Sequence, residues 1–190
     1  MVGWPGFRAT SDQLPRLFGH GENIAVILGP PSGELVDLDL DCAEALALAD
    51  LYLPPTRAVF ARASKPSAHR LYVAPVAAYE AFADPLTGDM LIGLRATGRD
   101  GGAHMTLFPP SVADGERREW RGDVVAPAGI EAIKLRTSCA TSASRRHEIP
   151  PRTYRTSYGR PIMHSAVAAP TGSACLIPTR RGDTRDHAEK

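Results

Sequence analysis

Cysteine is scarce. Cys42, Cys139 and Cys175 are the three in 190 residues, and none stands in a CxxC or CxxH spacing. That excludes a zinc knuckle and gives no basis for a disulfide framework; free thiols suit a reducing cytoplasm, the expected location. Long apolar runs are missing too: none approaches the ~18 residues of a spanning helix, so no membrane is expected as a partner. The opening Met1-Val2-Gly3-Trp4-Pro5-Gly6 lacks the basic start and apolar stretch of a signal peptide. No internal repeat is visible. Net charge is close to absent at +1, which argues neither for nor against nucleic acid. It conceals an asymmetry, because residues 136–190 hold nine Arg and one Lys against four acids. That stretch is basic by six charges and the rest of the chain acidic by five.

What is present suits one packed domain: 43% hydrophobic and 23% charged residues leave little room for wholesale disorder. Thr10-Ser11-Asp12-Gln13 offers a helix cap before Leu14, Leu17 and Phe18. Residues 23–28 read as a buried strand that stops at Gly29-Pro30-Pro31-Ser32-Gly33. A second strand, Leu35-Val36-Asp37-Leu38-Asp39-Leu40, alternates strictly between apolar and acidic and runs into a helix over 41–51. Further strands are expected at 59–60, 69–73, 90–94, 105–108 and 118–120, with a short helix over 77–83. Many strands, few helices and hairpin-like joints give an α+β fold, an antiparallel-rich mixed sheet with flanking helices. Residues 1–134 form the expected domain. Residues 135–190, rich in Ser, Thr, Arg and Pro, read as a poorly structured basic tail. Such a tail either contacts template phosphates or is simply solvated.

Asp37, Asp39 and Asp41 lie two apart, so on a strand all three project from one face, successive pairs roughly 6.5–7 Å apart. Acids so close need a cation between them or full solvation, and oxygen donors at this spacing suit Mg²⁺ or Mn²⁺. An ion held there could activate a 3′-hydroxyl and neutralise a triphosphate. Two plainer readings stand beside this one. The acids could form the wet face of a half-buried strand, and Asp41, three residues before Glu44, could cap the following helix.

Other segments follow in a fixed order: Leu53-Pro54-Pro55-Thr56, then Ser64-Lys65-Pro66-Ser67-Ala68-His69-Arg70-Leu71-Tyr72, then Leu94-Arg95-Ala96-Thr97-Gly98. Phe108-Pro109-Pro110-Ser111 and Gly115-Glu116 to Trp120 close the series. With the acidic strand, this order over roughly residues 3–125 resembles the bifunctional primase/polymerase domain of the archaeo-eukaryotic primase superfamily, common in phages and mobile elements. The resemblance implies a DNA template and NTP or dNTP as partners, a separate replicative helicase as a further one, and Mg²⁺ or Mn²⁺ of the two-metal type as cofactor. It implies that Asp39 and Asp41 are the catalytic acid pair, with Asp37 assisting at the metal. It also implies that Ser67-Ala68-His69 is the Ser-x-His motif, His69 meeting the incoming phosphates. Ser64, Lys65, Arg70 and Arg95 are expected to add nucleotide contacts, since a strand-borne His with such neighbours supplies donors to a polyphosphate. An ordinary buried His and a plain surface Arg95 are the bland alternatives.

Two positions depart from the pattern. The family's third carboxylate stands just before Leu/Ile-Arg-x-x-Gly, and here that position is Gly93. Only Asp37 or Asp89 could substitute. Where relatives often carry His after Pro-Pro-Ser, this chain has Ala113. The expectation is therefore a nucleotidyltransferase crippled at its third acid, from a truncated or decaying prophage-type copy. A non-catalytic nucleotide- or DNA-binding remnant is the alternative, and a metal-dependent nuclease a more distant one.

Overall fold

The computed structural model describes residues 4–18, 21–123, 125–148 and 176–179. Strand β1 (Asn23–Ile27) follows a single-turn helix α1 (Leu14–Leu17). Gln13 Oε1 accepts from the Thr10 amide at 3.0 Å, one half of the expected capping box. β2 (Leu35–Leu40) and helix α2 (Ala43–Tyr52) come next, then β3 (Val59–Arg62), β4 (Lys65–Val73), β5 (Glu80–Ala83) and β6 (Met90–Arg95). β7 (Met105–Phe108), the two-residue strands β8 (Val112–Ala113), β9 (Glu116–Arg117), β10 (Glu119–Trp120) and β11 (Ala128–Gly129), helix α3 (Ala132–Ser144) and β12 (Leu176–Thr179) complete the order. The fold is α+β. One sheet runs β10-β3-β4-β2-β6-β5 with β11 beside β4, and a smaller one runs β12-β1-β7. None of the described helices is long and apolar enough to cross a membrane.

The alternation of β2 sets the layers. Val36, Leu38 and Leu40 face α2 and α3 in a core that also holds Tyr72, Ile92, Leu94, Leu135 and Cys139. On the opposite face, Leu35, Phe60 and Leu71 pack against Val26 of β1 and Leu28 just after it. The acidic face is thus half covered by the small sheet, and β2 is buried along its whole length. The β1–β2 connection needs Gly29: its φ is +78°, and a Cβ there would meet Thr97 Cγ2 at 3.0 Å.

Two expectations are corrected. Residues 77–83 do not form a helix, because Glu80–Ala83 pairs with β6 as an edge strand, Glu80 opposite Leu94 and Phe82 opposite Ile92. The Ala content favours helix locally, but an unpaired β6 edge offers more hydrogen bonds than an isolated turn of helix. The stretch from 135 does not begin as an unstructured tail. Leu135, Cys139, Ser142 and Ala143 are buried on one side of α3, a helical spacing hidden among Ser and Thr. The hydroxyls of Thr137 and Thr141 bond back to the carbonyls of Ile133 and Thr137 at 2.8 and 2.9 Å, which satisfies their polarity within the helix. Burial pushes the Cys139 thiol up to about 12. Just beyond α3, Arg146 binds the fully buried Asp84 side chain at 2.8 Å. Asp84 in turn accepts from the Leu86 and Thr87 amides. Residues 149–175 and 180–190, on either side of β12 antiparallel to β1, lie outside the described residues, and so does any template contact they make. Leu135→Ala should cost about 2–5 kcal/mol in urea unfolding; a change under about 0.5 kcal/mol would mean that α3 is not part of the core.

Candidate active site

The register of the large sheet assembles one row of side chains across five strands. Trp120 stands opposite Phe60, Phe60 opposite His69, His69 opposite Asp39, and Asp39 opposite Gly93. Directly opposed residues share a face, so the row lies on the acidic side of the sheet. Asp37 is one pleat along, opposite Leu71 and Arg95.

Asp37 is wholly buried (0% exposed), and His69 Nδ1 lies 3.0 and 3.3 Å from its two oxygens. Burial pushes the Asp37 carboxyl up. The charge and hydrogen bond of His69, with Arg95 and Thr106 behind them, outweigh burial and hold it below the ordinary carboxylate range. Burial likewise pushes the His69 imidazole down, while Asp37 and then Asp39 carry it above its ordinary value. The ring stacks on Phe60 at 4.4 Å between centroids and 8° between planes. With Nδ1 on Asp37 and one face on Phe60, the imidazole has a fixed orientation that leaves Nε2 as its second donor. Asp37, expected to assist at a metal, is thus fully buried and faces His69 Nδ1 at 3.0 Å.

Asp39 is 6% exposed and Arg95 holds its Oδ2 at 2.5 Å. Asp41 does not cap α2: Cys42 does, its sulfur accepting from the Ala45 amide at 3.4 Å. Asp41 instead receives Lys65 Nζ at 2.7 Å. Lys65 reaches it from an irregularity in β4, where Pro66, Ser67 and Ala68 stand against Ala61 alone of β3 and Ser67 sits at φ +60°. Such bulges re-aim side chains and collect beside functional sites. Ser64 is drawn elsewhere, its hydroxyl donating to Glu116 at 2.7 Å. Arg70 is not in the site. It lies on the helix side of β4 and pairs with Asp50 of α2 at 2.5 Å. Arg70→Met should leave triphosphate affinity unchanged, whereas Arg95→Met should lower it about tenfold, the worth of one charge-assisted hydrogen bond; equal losses in a binding titration would return Arg70 to the site.

Position 93 lies across from Asp39 with nothing to offer it. A Cβ there would stand 3.8 Å from the Asp39 Cβ and 3.5 Å from the Tyr79 ring, ordinary contacts. Asp89 does not substitute, since it sits before β6 near Arg146 at 3.7 Å. Asp41 lies just past the end of β2, and each of the three acids has a basic partner from the chain itself: His69 on Asp37, Arg95 on Asp39, Lys65 on Asp41. Among the described residues no group of three or more His, Cys, Asp or Glu could hold a metal ion. This donor set does not fit a two-metal centre, which needs carboxylates free to bridge two ions.

Sequence reasoning gave no role to Thr106, Tyr79 or Glu116. The Gly115-Glu116 segment stands in the motif order, but its hold on Ser64 follows only from the β8–β9 hairpin. Other motif pieces prove to be clasps. Ser111 Oγ accepts from the Ile24 amide at 2.7 Å, and the Asn23 side chain bonds both backbone groups of Val112. Thr56 Oγ1 donates to the Leu71 carbonyl at 2.9 Å. No curated protein and no solved structure matches the chain. The family model described as bifunctional DNA primase/polymerase, N-terminal, matches residues 6–132, the span that carries the large sheet, β1, β7 and the whole acidic row, and the chain belongs to that family.

Proposed function

We propose that this chain is a primase/polymerase-type nucleotidyl-transfer core that binds a nucleoside triphosphate along its acidic strand and whose transfer step is crippled at residue 93. The observation that supports it is the row His69–Asp39–Gly93, with two of the expected partners facing each other and the third position empty of a side chain. DNA and nucleotides are the substrates the family implies, and divalent-metal dependence is general in it.

The chain's own residues account for positioning. Lys65, Arg95 and the Nε2 of His69 supply donors to phosphate oxygens from one face of the sheet. Asp37 strengthens the hold of His69 on its proton and aims the ring. The reaction they would serve is in-line attack of a primer 3′-hydroxyl on the α-phosphate, forming one phosphodiester bond and releasing pyrophosphate. Catalysis of this kind is mostly placement and charge stabilisation, so a missing charge beside Asp39 lowers rate more than binding.

The ion pairs of Asp39 and Asp41 favour a second reading, a non-catalytic nucleotide- and DNA-binding remnant. Extension of a labelled primer on a DNA template with dNTPs and Mn²⁺ separates the two. Slow extension that Asp39→Ala abolishes supports a crippled transferase. No extension alongside intact nucleotide binding selects the remnant, and neither extension nor binding overturns both.

A further inference from the structure

We infer that this chain holds the triphosphate of a nucleotide without a divalent cation, because Lys65 and Arg95 already occupy the Asp41 and Asp39 carboxylates that an ion would need. The inference rests on the nucleotide-binding reading above and goes against the metal dependence general in the family.

The geometry is specific. Lys65 Nζ is 2.7 Å from Asp41 Oδ1 and Arg95 is 2.5 Å from Asp39 Oδ2. The Lys65 and Arg95 side chains keep 29% and 28% of their surface exposed. An ammonium has three donors and a guanidinium five, so each can keep its carboxylate and still present N–H groups outward. His69 adds Nε2, its Nδ1 being held by Asp37 at 3.0 Å. Lys65 and Arg95 open onto the face of the sheet that carries the acids, and each acid already has its own hydrogen-bonding or ion-pair partner, so a polyphosphate meets charge-assisted donors before bare carboxylates. A divalent ion arriving from solution has to displace Lys65 or Arg95 from a partly buried carboxylate, where the competing ion pair is screened less than at the open surface. Gly93 contributes by omission. A carboxylate at that position would put the acids in excess, and that excess is the condition under which a cation from solution is needed before phosphate can enter.

The test is calorimetric titration of the full chain with dATP, and separately with inorganic tripolyphosphate, in EDTA and in Mn²⁺. Both ligands are expected to bind, with affinity in EDTA less than tenfold below that in Mn²⁺. Lys65→Ala should lower affinity in EDTA by about tenfold, the effect of one charge-assisted hydrogen bond, and Lys65→Arg should recover most of it, which excludes misfolding as the cause. Gly93→Glu should acquire metal dependence, binding at least tenfold more weakly in EDTA than in Mn²⁺. If the unmodified chain binds in Mn²⁺ but loses tenfold or more in EDTA, the inference falls and the nucleotide-binding reading stands. If neither ligand binds in either buffer, the reading falls and takes the inference with it.

Discussion

Gly93→Glu should raise the rate of primer extension in Mn²⁺ by about 10²–10³-fold, the scale on which one positioned charge acts in a transition state. The register puts residue 93 directly across from Asp39, on the face that carries His69. The site as it stands balances three acids against Lys65, Arg95 and His69. One more carboxylate tips that balance and makes a divalent ion from solution the favourable counter-charge beside Asp39. The space for the added Cβ exists, because at 93 it would meet Tyr79 at 3.5 Å and the Asp39 Cβ at 3.8 Å, both ordinary van der Waals contacts. The measurement compares Gly93→Glu with the unmodified chain, and with Gly93→Glu carrying Asp39→Ala as well. Loss of the gained activity in the double variant ties it to the acidic row. Unchanged extension in a folded Gly93→Glu chain would show that residue 93 does not limit transfer, and the crippling would have to lie in the ion pairs of Asp39 and Asp41. Gln at the same position separates shape from charge: it fills the slot and should gain little.

The acidic strand was the most legible part of the molecule. Residues 35–40 form β2 as the alternation reads, since a period of two has no competing interpretation over six residues. The same alternation places Arg70 on the face away from His69, yet nearness in sequence suggested a shared role; one residue along a strand is the opposite side of the sheet. The ion pair of Lys65 with Asp41 was not legible, because it depends on a bulge whose position neither strand announces. Position 93 could be named from its motif. Its placement opposite Asp39 needed the register, which local sequence does not carry. Two local signals misled in opposite directions. Ala-rich 77–83 looked helical, yet residues 80–83 form an edge strand, while the Ser- and Thr-rich stretch from 135 looked unstructured, yet its start to Ser144 belongs to a core helix. In both, tertiary partners decided: β6 had an edge to pair, and the core had a face that Leu135 and Cys139 could cover.

Stability should depend on pH through the pair that orients His69, and removing either partner should be costly. Asp37 is wholly buried and its carboxyl is held below the ordinary range, so its contribution is present above about pH 4 and is lost as pH falls through the folded value. His69 is raised above its ordinary value of about 6.5, so its contribution is complete below that pH and is lost as pH rises through the higher folded value. The two together place greatest stability between about pH 4 and 6.5, with a decline on the alkaline side that begins where imidazole normally deprotonates. Asp37→Asn should lower unfolding free energy at pH 6 by about 3 kcal/mol, since the charged His69 is left in a closed site without its counter-charge. It should also weaken the alkaline decline, because the imidazole then keeps only the more distant Asp39, 4.0 Å away, as an acidic neighbour. Urea unfolding of the unmodified chain and of Asp37→Asn from pH 5 to 9 measures both effects. Parallel pH profiles for the two proteins would mean that the pair carries no charge in the folded state. His69 would then be fixed by its stacking on Phe60 rather than by Asp37, and it would meet a phosphate as a neutral donor with correspondingly weaker hold.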